Sequence, residues 1–167
     1  TVGDGETVLF DDVAYGEAAP GEPDRERRLT PRGERDLRRA ATAYPQQLRA
    51  RGIPLPEQVY FSPWERAVQT AGYLAEAVGA PAQAAPVLTA DQSTRAVEEL
   101  LAAAPAPRHA LLVSHQPLVG RLIDRWLGDG GEVPGLVPGA YAVLRTDVPG
   151  AGCASFCCWS GPPDYAL

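Results

Sequence analysis

Two short polar clusters in the 167-residue chain carry side chains that could do chemistry. Ser62 and Arg66 follow one apolar segment, and Ser114 and His115 follow another. Arginine offers a planar pair of N–H donors to two oxygens, and histidine can donate a hydrogen bond or carry a positive charge near neutral pH. Each cluster leads directly into a predicted helix, whose N-terminus favours anions through its free N–H groups and its dipole. These residues therefore predict a site for a phosphate, a sulfate or a carboxylate.

Less specific interpretations of the same region stay open. Arg66 could be a solvated helix residue, and His115 could be a hydrogen-bonded histidine at a strand end. His109, which precedes the second apolar segment, is expected to be structural. Trp64 and Trp159 are expected to pack in the fold rather than to stack on a ligand.

The elements that position these residues follow from hydrophobic runs and from capping residues. Thr30 caps the first helix and Pro31 is favoured at its first position, whereas Gly52 ends it. Residues 80–86 are expected to be a connector, and Val87-Leu88 a short strand or an extended link. The predicted strands are residues 7–10, 58–61, 110–113, 140–145 and 154–159, the last two forming a hairpin, and the predicted helices are residues 31–51, 65–78, 93–104 and 117–127.

This alternation of strands and helices predicts the fold class. We expect one domain over residues 1–167, an α/β three-layer sandwich with a mainly parallel central sheet and helices on both faces. In such sheets ligands bind beyond the carboxyl ends of the strands. Both polar clusters occupy that position in the predicted order.

Composition excludes several classes of function. The net charge of −6 argues against a nucleic-acid partner, because phosphate backbones need a basic face. All 15 basic residues are arginine, so lysine Schiff-base chemistry and P-loop chemistry are excluded. No apolar run is long enough to span a membrane and no secretory signal opens the sequence, so we expect no membrane partner. The oligomeric state is not predicted.

The three cysteines indicate a compartment but not a site. Cys153, Cys157 and Cys158 lie close to one end and are odd in number, which is unlike a disulfide framework. With only two histidines in the chain, no zinc-ligand spacing occurs. We therefore expect no metal and no cofactor, buried reduced cysteines, and a cytoplasmic protein.

Four segments carry a resemblance to a known family. The segment FSPWERAVQT (61–70) resembles the second-arginine motif of the histidine phosphatase superfamily. The segment VSHQPLVG (113–120) resembles its second-histidine motif, in the form of the SixA group of bacterial phosphohistidine phosphatases. The segments LTPRG (29–33) and FCCW (156–159) also fit that group.

The resemblance implies a phosphoryl pocket in a phosphoglycerate-mutase-like fold. In the family, the histidine of an Arg-His-Gly triplet after the first strand attacks phosphorus. The second arginine binds the phosphoryl oxygens, and the second histidine lies against the same group. By position, Arg66 and His115 inherit these last two roles, with Ser62 and Ser114 as further ligand-binding candidates.

The Arg-His-Gly triplet itself is missing from this chain. One alignment, which we prefer because the following Gly-Glu-Ala is typical of the family, places Ala14-Tyr15-Gly16 there, so that Tyr15 replaces the nucleophile. A second alignment, anchored on the first strand, places Asp11-Asp12 there and brings negative charge to the phosphate position. Both remove the nucleophilic histidine.

Three hypotheses for the function follow. The first is a degenerate phosphatase fold that binds a small anionic ligand or a phosphorylated partner without turnover. The second is a repurposed enzyme in which His115 is the general acid or base, assisted by Tyr15 or Asp12, while Arg66 holds the anion. The third is a phosphohydrolase with His115 or Tyr15 as nucleophile.

Overall fold

The computed structural model describes residues 5–11, 24–103, 108–128, 136–146 and 148–165, with only the backbone described along 5–11 and at 24. Two short 3-10 turns, Asp24–Glu26 and Pro86–Leu88, lie between the longer elements. The strands are β1 (Gly5–Asp11), β2 (Gln58–Phe61), β3 (Ala82–Ala84), β4 (His109–Ser114), β5 (Tyr141–Thr146) and β6 (Ala154–Ser160), and the helices are α1 (Pro31–Ala50), α2 (Glu65–Val78), α3 (Thr94–Ala102) and α4 (Leu118–Leu127).

The strands form a single sheet in the order β3-β2-β4-β1-β5-β6. Strands β3, β2, β4 and β1 run parallel, whereas β5 is antiparallel to β1 and β6 is antiparallel to β5. The last two strands are the predicted hairpin. The prediction of a mainly parallel sheet in an α/β fold is confirmed.

Individual residues determine where helices α1 and α2, which cover one face of the sheet, begin and end. The hydroxyl of Thr30 accepts the N–H of Gly33 at 2.9 Å and caps α1, and Pro31 occupies the first helical position. Helix α2 ends at Gly79, whose φ of 69° is in the left-handed region that favours glycine. Both helices therefore lie within one residue of their predicted bounds.

Strand β4 carries the core on both of its faces. Leu111 and Val113 pack in a cluster with α1 and α2, whereas Ala110 and Leu112 pack in a second cluster with α3 and α4. All six residues of β4 are buried, as expected for a central strand covered by helices on both sides. The predicted three layers are therefore present.

Several details of the sequence prediction are wrong, among them the packing expected for Trp159, which is 42% exposed. The segment Ala82–Ala84, expected to be part of a connector, is the edge strand β3. Val87 and Leu88 form a 3-10 turn with Pro86 instead of a strand, since proline presets the φ that such a turn requires. Cys153 is exposed rather than buried, because it lies in the turn before β6.

None of the helices in the described part of the chain combines the length and the apolar character needed to span a bilayer.

Candidate anion site

The sheet topology brings the two polar clusters together. Strands β2 and β4 are parallel neighbours with Phe61 opposite Val113, so both clusters leave the same edge of the sheet. The N–H of Ser62 continues the ladder by donating to the carbonyl of Val113 at 3.0 Å. Helix α2, which follows β2, packs on one face, and α4, which follows β4, packs on the other. Chains that diverge to opposite faces leave a crevice between them, where α/β folds bind ligands.

A short hydrogen bond joins Ser62 and His115 at the base of this crevice. The Nε2 atom of His115 lies 2.7 Å from Oγ of Ser62, and both residues are buried. The same Oγ accepts the N–H of Trp64 at 3.3 Å, so the hydroxyl proton can point toward His115. The bond fixes the orientation of the imidazole ring, which a catalytic or binding histidine requires.

Trp64 contacts both cationic candidates. Its ring centre lies 4.5 Å from that of His115, with 36° between the ring planes. The guanidinium carbon Cζ of Arg66 lies 5.0 Å from the centre of the Trp64 ring, within the range of a cation–π contact. Arg66 and His115 are each only 2% exposed. We call these two residues the Arg66–His115 pair.

Helix α2 holds Arg66 in its first turn. Trp64 precedes the helix in an extended conformation, and Thr70 donates its hydroxyl to the carbonyl of Arg66 at 2.8 Å. The guanidinium is therefore next to the positive end of the α2 dipole, an environment that favours an anion over a second cation. A buried guanidinium is also costly unless its surroundings offset the loss of water.

The second serine faces a different part of the molecule. The hydroxyl of Ser114 donates to the carbonyl of Leu88 at 2.6 Å, and this bond fastens the 3-10 turn to the end of β4. Because this hydrogen bond directs the hydroxyl of Ser114 to the turn, the predicted ligand-binding role of Ser114 stays a prediction.

Tyr15 and Asp12 lie outside the described residues, as does Ala14. Asp11 ends β1, and its backbone lies opposite Ser114 in the parallel register. The chain therefore leaves β1 beside the residue that precedes His115.

His109 lies at the other end of β4. Its Nδ1 atom is 2.6 Å from the carbonyl of Pro54, and its Nε2 atom is 3.5 Å from the hydroxyl of Tyr44. Burial lowers the pKa of His109, and the hydrogen bond to Pro54 only partly opposes this effect. His115 comes six positions later, just beyond the end of β4, which corresponds to about 20 Å along an extended chain. These contacts agree with the structural role predicted for His109.

Sequence reasoning missed the place of Trp64 in this site. The sequence predicted that Trp64 packs in the fold, which is correct. The residues that Trp64 packs against are Arg66 and His115 themselves. The signal was present in the sequence, since Trp64 stands two residues before Arg66 in the same motif. In the described part of the chain, no three side chains of metal-ligating type come together.

Comparisons with known proteins show what this chain is similar to. Residues 21–90 match the family model of the histidine phosphatase superfamily (branch 1). No curated protein is similar enough in sequence to match.

Solved structures resemble the whole fold. The protein histidine phosphatase SixA complexed with tungstate is 25% identical, with a TM-score of 0.77, over 94% of this chain and 97% of that one. A structure described as a phosphohistidine phosphatase SixA from Nakamurella multipartitia is 27% identical, with a TM-score of 0.69, over 95% and 96% of the two chains. A third, described in the same way and from Agrobacterium tumefaciens, is 20% identical, with a TM-score of 0.74, over 95% and 98%.

The resemblance to the histidine phosphatase superfamily is therefore confirmed, and the chain has the phosphoglycerate-mutase-like fold of that superfamily. Within it, the chain is similar to structures of the SixA group.

Proposed function

We propose that this protein binds a phosphate- or carboxylate-bearing ligand through the Arg66–His115 pair without forming a phosphohistidine intermediate. The observation that carries the proposal is the burial of both side chains against Trp64 at the carboxyl edge of the sheet. Hydrogen-bond donors held in a crevice away from water, one of them the charged guanidinium of Arg66, bind oxyanions more strongly than exposed donors do.

The absence of a second histidine at this edge supports binding without ordinary turnover. The chain has two histidines, and His109 lies at the opposite end of β4, bonded to Pro54. A phosphoryl group could therefore be transferred only to His115 or to a residue of another type. The structure of SixA holds tungstate, an oxyanion that mimics phosphate, and tungstate is thus a suitable probe for this chain.

Imidazole NMR tests the proposal directly, because the two histidines give separate signals. We expect tungstate to shift the ring signals of His115 and to leave those of His109 in place. Arg66→Ala should weaken tungstate binding about tenfold to a hundredfold, as loss of a charge-assisted hydrogen bond does. Arg49→Ala, at the exposed far end of α1, is the matched control and should bind tungstate normally.

Two results would overturn the proposal. One is an unchanged His115 signal at millimolar tungstate. The other is phosphatase turnover that His115→Ala abolishes, together with a phospho-enzyme trapped by acid quenching, which would instead support a phosphohydrolase with a non-standard nucleophile.

The Ser62–His115 hydrogen bond favours a second candidate function, a repurposed acid–base enzyme. A histidine held by a buried 2.7 Å bond is oriented for proton transfer. Small-molecule profiles of host cells that carry wild-type protein or His115→Ala test this candidate. We expect one compound to accumulate in the variant, and identical profiles would contradict this candidate function.

The single domain over residues 1–167 and the cytoplasmic location stay predictions.

A further inference from the structure

An open cleft shares the side chain of Trp64 with the Arg66–His115 pair. Its volume is about 580 Å³, within the range of small-molecule sites. Trp64 belongs to both places, since it lines the cleft and contacts both members of the pair. A group that occupies the cleft can therefore contact the same side chain that packs against both members of the pair. The described residues that line the cleft are Arg25, Glu26, Arg28, Pro63, Trp64 and Glu65.

Contacts with α2 join the two walls of the cleft. One wall is the segment that begins with the 3-10 turn Asp24–Glu26, and the other is the start of the helix. The N–H of Leu29 donates to Oε1 of Gln69 at 3.0 Å, and Arg28 lies 3.6 Å from Glu65. The ion pair is exposed and adds little stability by itself, but together with the backbone bond it ties the two walls to one element.

The lining combines flat surfaces with charges that cancel. Trp64 and Pro63 provide apolar surface, and arginine side chains stack on aromatic groups as well as donate hydrogen bonds. Among the described residues of the lining, the charges of Arg25 and Arg28 are balanced by those of Glu26 and Glu65, so this part of the cleft does not favour a second strongly anionic group. A flat, uncharged ring satisfies both features, since it can stack on Trp64 or on a guanidinium without bringing a further charge.

We infer that the cleft binds an aromatic ring carried by the same ligand whose anion is held by the Arg66–His115 pair. The ligand class is thus an aryl-bearing phosphate or carboxylate. This inference rests on the proposed anion binding and adds the chemistry of the group attached to the anion.

Three phosphate monoesters test the inference: phenyl, cyclohexyl and methyl phosphate. All three present the same anion, but only phenyl phosphate has a flat aromatic ring. Affinities are measured by displacement of tungstate, followed through the His115 imidazole signals. We expect phenyl phosphate to bind about fivefold to a hundredfold more tightly than methyl phosphate, the range expected for one ring stacked on an aromatic side chain. Cyclohexyl phosphate should lie between them.

Variants are compared by the ratio of phenyl to methyl affinity. Damage to the anion site affects both esters and cancels in this ratio, which matters because Trp64 also contacts the pair. Trp64→Leu should bring the ratio close to one, Arg28→Ala should lower it, and Arg49→Ala should leave it at the wild-type value.

The outcomes separate the two proposals. If the wild type binds inorganic phosphate and tungstate but phenyl phosphate gains nothing over cyclohexyl phosphate, the aromatic cleft is refuted and anion binding stands. If no phosphate ester, phosphate or tungstate binds, the proposed function itself fails, and the inference fails with it. A phenyl preference that survives in Trp64→Leu also refutes the cleft as the binding site of the ring.

Discussion

Two buried serines at neighbouring strand ends have different hydrogen-bond partners for their hydroxyl groups. Ser62 bonds to His115 at 2.7 Å and Ser114 bonds to the carbonyl of Leu88 at 2.6 Å. We expect Ser62→Ala to weaken tungstate binding about threefold to tenfold, the cost of one neutral hydrogen bond that orients the binding group. Displacement measured through the His115 signals provides the affinity.

Ser114→Ala is the control for this substitution. Both variants leave a buried polar group without its partner, so both should lower the free energy of unfolding by about 1–3 kcal/mol. Only Ser62→Ala should change tungstate affinity. Equal losses of affinity in the two variants would show that Ser114 also acts at the site, as the sequence predicts.

The buried His109 makes stability depend on pH. Its pKa is lowered by burial, so the unfolded chain takes up a proton near pH 6.5, about the usual histidine value, before the folded protein does. The unfolded state then binds more protons, and the free energy of unfolding falls as the pH drops through this window. Stability from this source is complete above the unfolded pKa.

Urea unfolding at pH 7.5 and 5.5 checks this prediction. The variant His109→Asn keeps an N–H donor for the carbonyl of Pro54 but does not titrate. We expect the wild type to lose more stability than the variant between the two pH values. Other titrating groups are common to both proteins, so an equal loss would assign the pH dependence to those groups.

The sequence predicted the cationic residues of the site better than their surroundings. Arg66, His115 and Ser62 lie in motifs that can be recognised from their order along the chain. Their burial and the contacts made by Trp64 depend on how β2, β4 and α2 pack together. No local sequence pattern predicts this tertiary packing. The direction of the Ser114 hydroxyl was equally hidden, because its partner Leu88 belongs to a turn that was predicted as extended chain.

Among the elements, helix α2 offers two glycines with opposite roles. Gly72 is exposed inside the helix and Gly79 follows it with a φ of 69°, and a Cβ atom would meet no neighbour within 4 Å at either position. Gly72→Ala should therefore raise the free energy of unfolding by about 0.5–1 kcal/mol. Gly79→Ala should lower it by about 1–2 kcal/mol, since alanine is strained in the left-handed region.

Thermal or urea unfolding of the two variants tests these signs. Because Arg66 lies in the first turn, away from both glycines, tungstate affinity should stay at the wild-type value in each. A change of the same sign for both variants would mean that the helix ends differently in solution.

The success of prediction also differed among the elements. Thr30 caps the start of α1 and Gly79 follows the end of α2, and β4 contains a continuous apolar run. Each of these elements was therefore predicted within about one residue at either end. Strand β3 is short, exposed and made of alanine and glutamine, which have no preference for a strand and no buried face. Its existence depends on pairing with β2, a tertiary contact that the local sequence does not express.

On the scale of the whole molecule, the site lies where the chain leaves two neighbouring strands toward opposite faces of the sheet. The helix after β2 covers one face and the helix after β4 covers the other, so the pair stands where the two layers separate. Its residues come from segments about 50 positions apart in sequence. An anion that bridges them would therefore bind the folded chain and not the unfolded one, and its binding would stabilise the entire domain.

Tungstate should accordingly raise the free energy of unfolding of the whole protein, by an amount that grows with the logarithm of its affinity. At a free concentration one hundred times the dissociation constant, linkage predicts a gain of about 2.7 kcal/mol in the free energy of unfolding. Urea unfolding with and without tungstate at pH 7.5 measures this gain. At the same tungstate concentration Arg49→Ala should show this gain in full. Arg66→Ala, which binds tungstate about tenfold to a hundredfold more weakly, should gain only about 0.4–1.4 kcal/mol. An equal gain in Arg66→Ala would place the stabilising anion elsewhere on the protein.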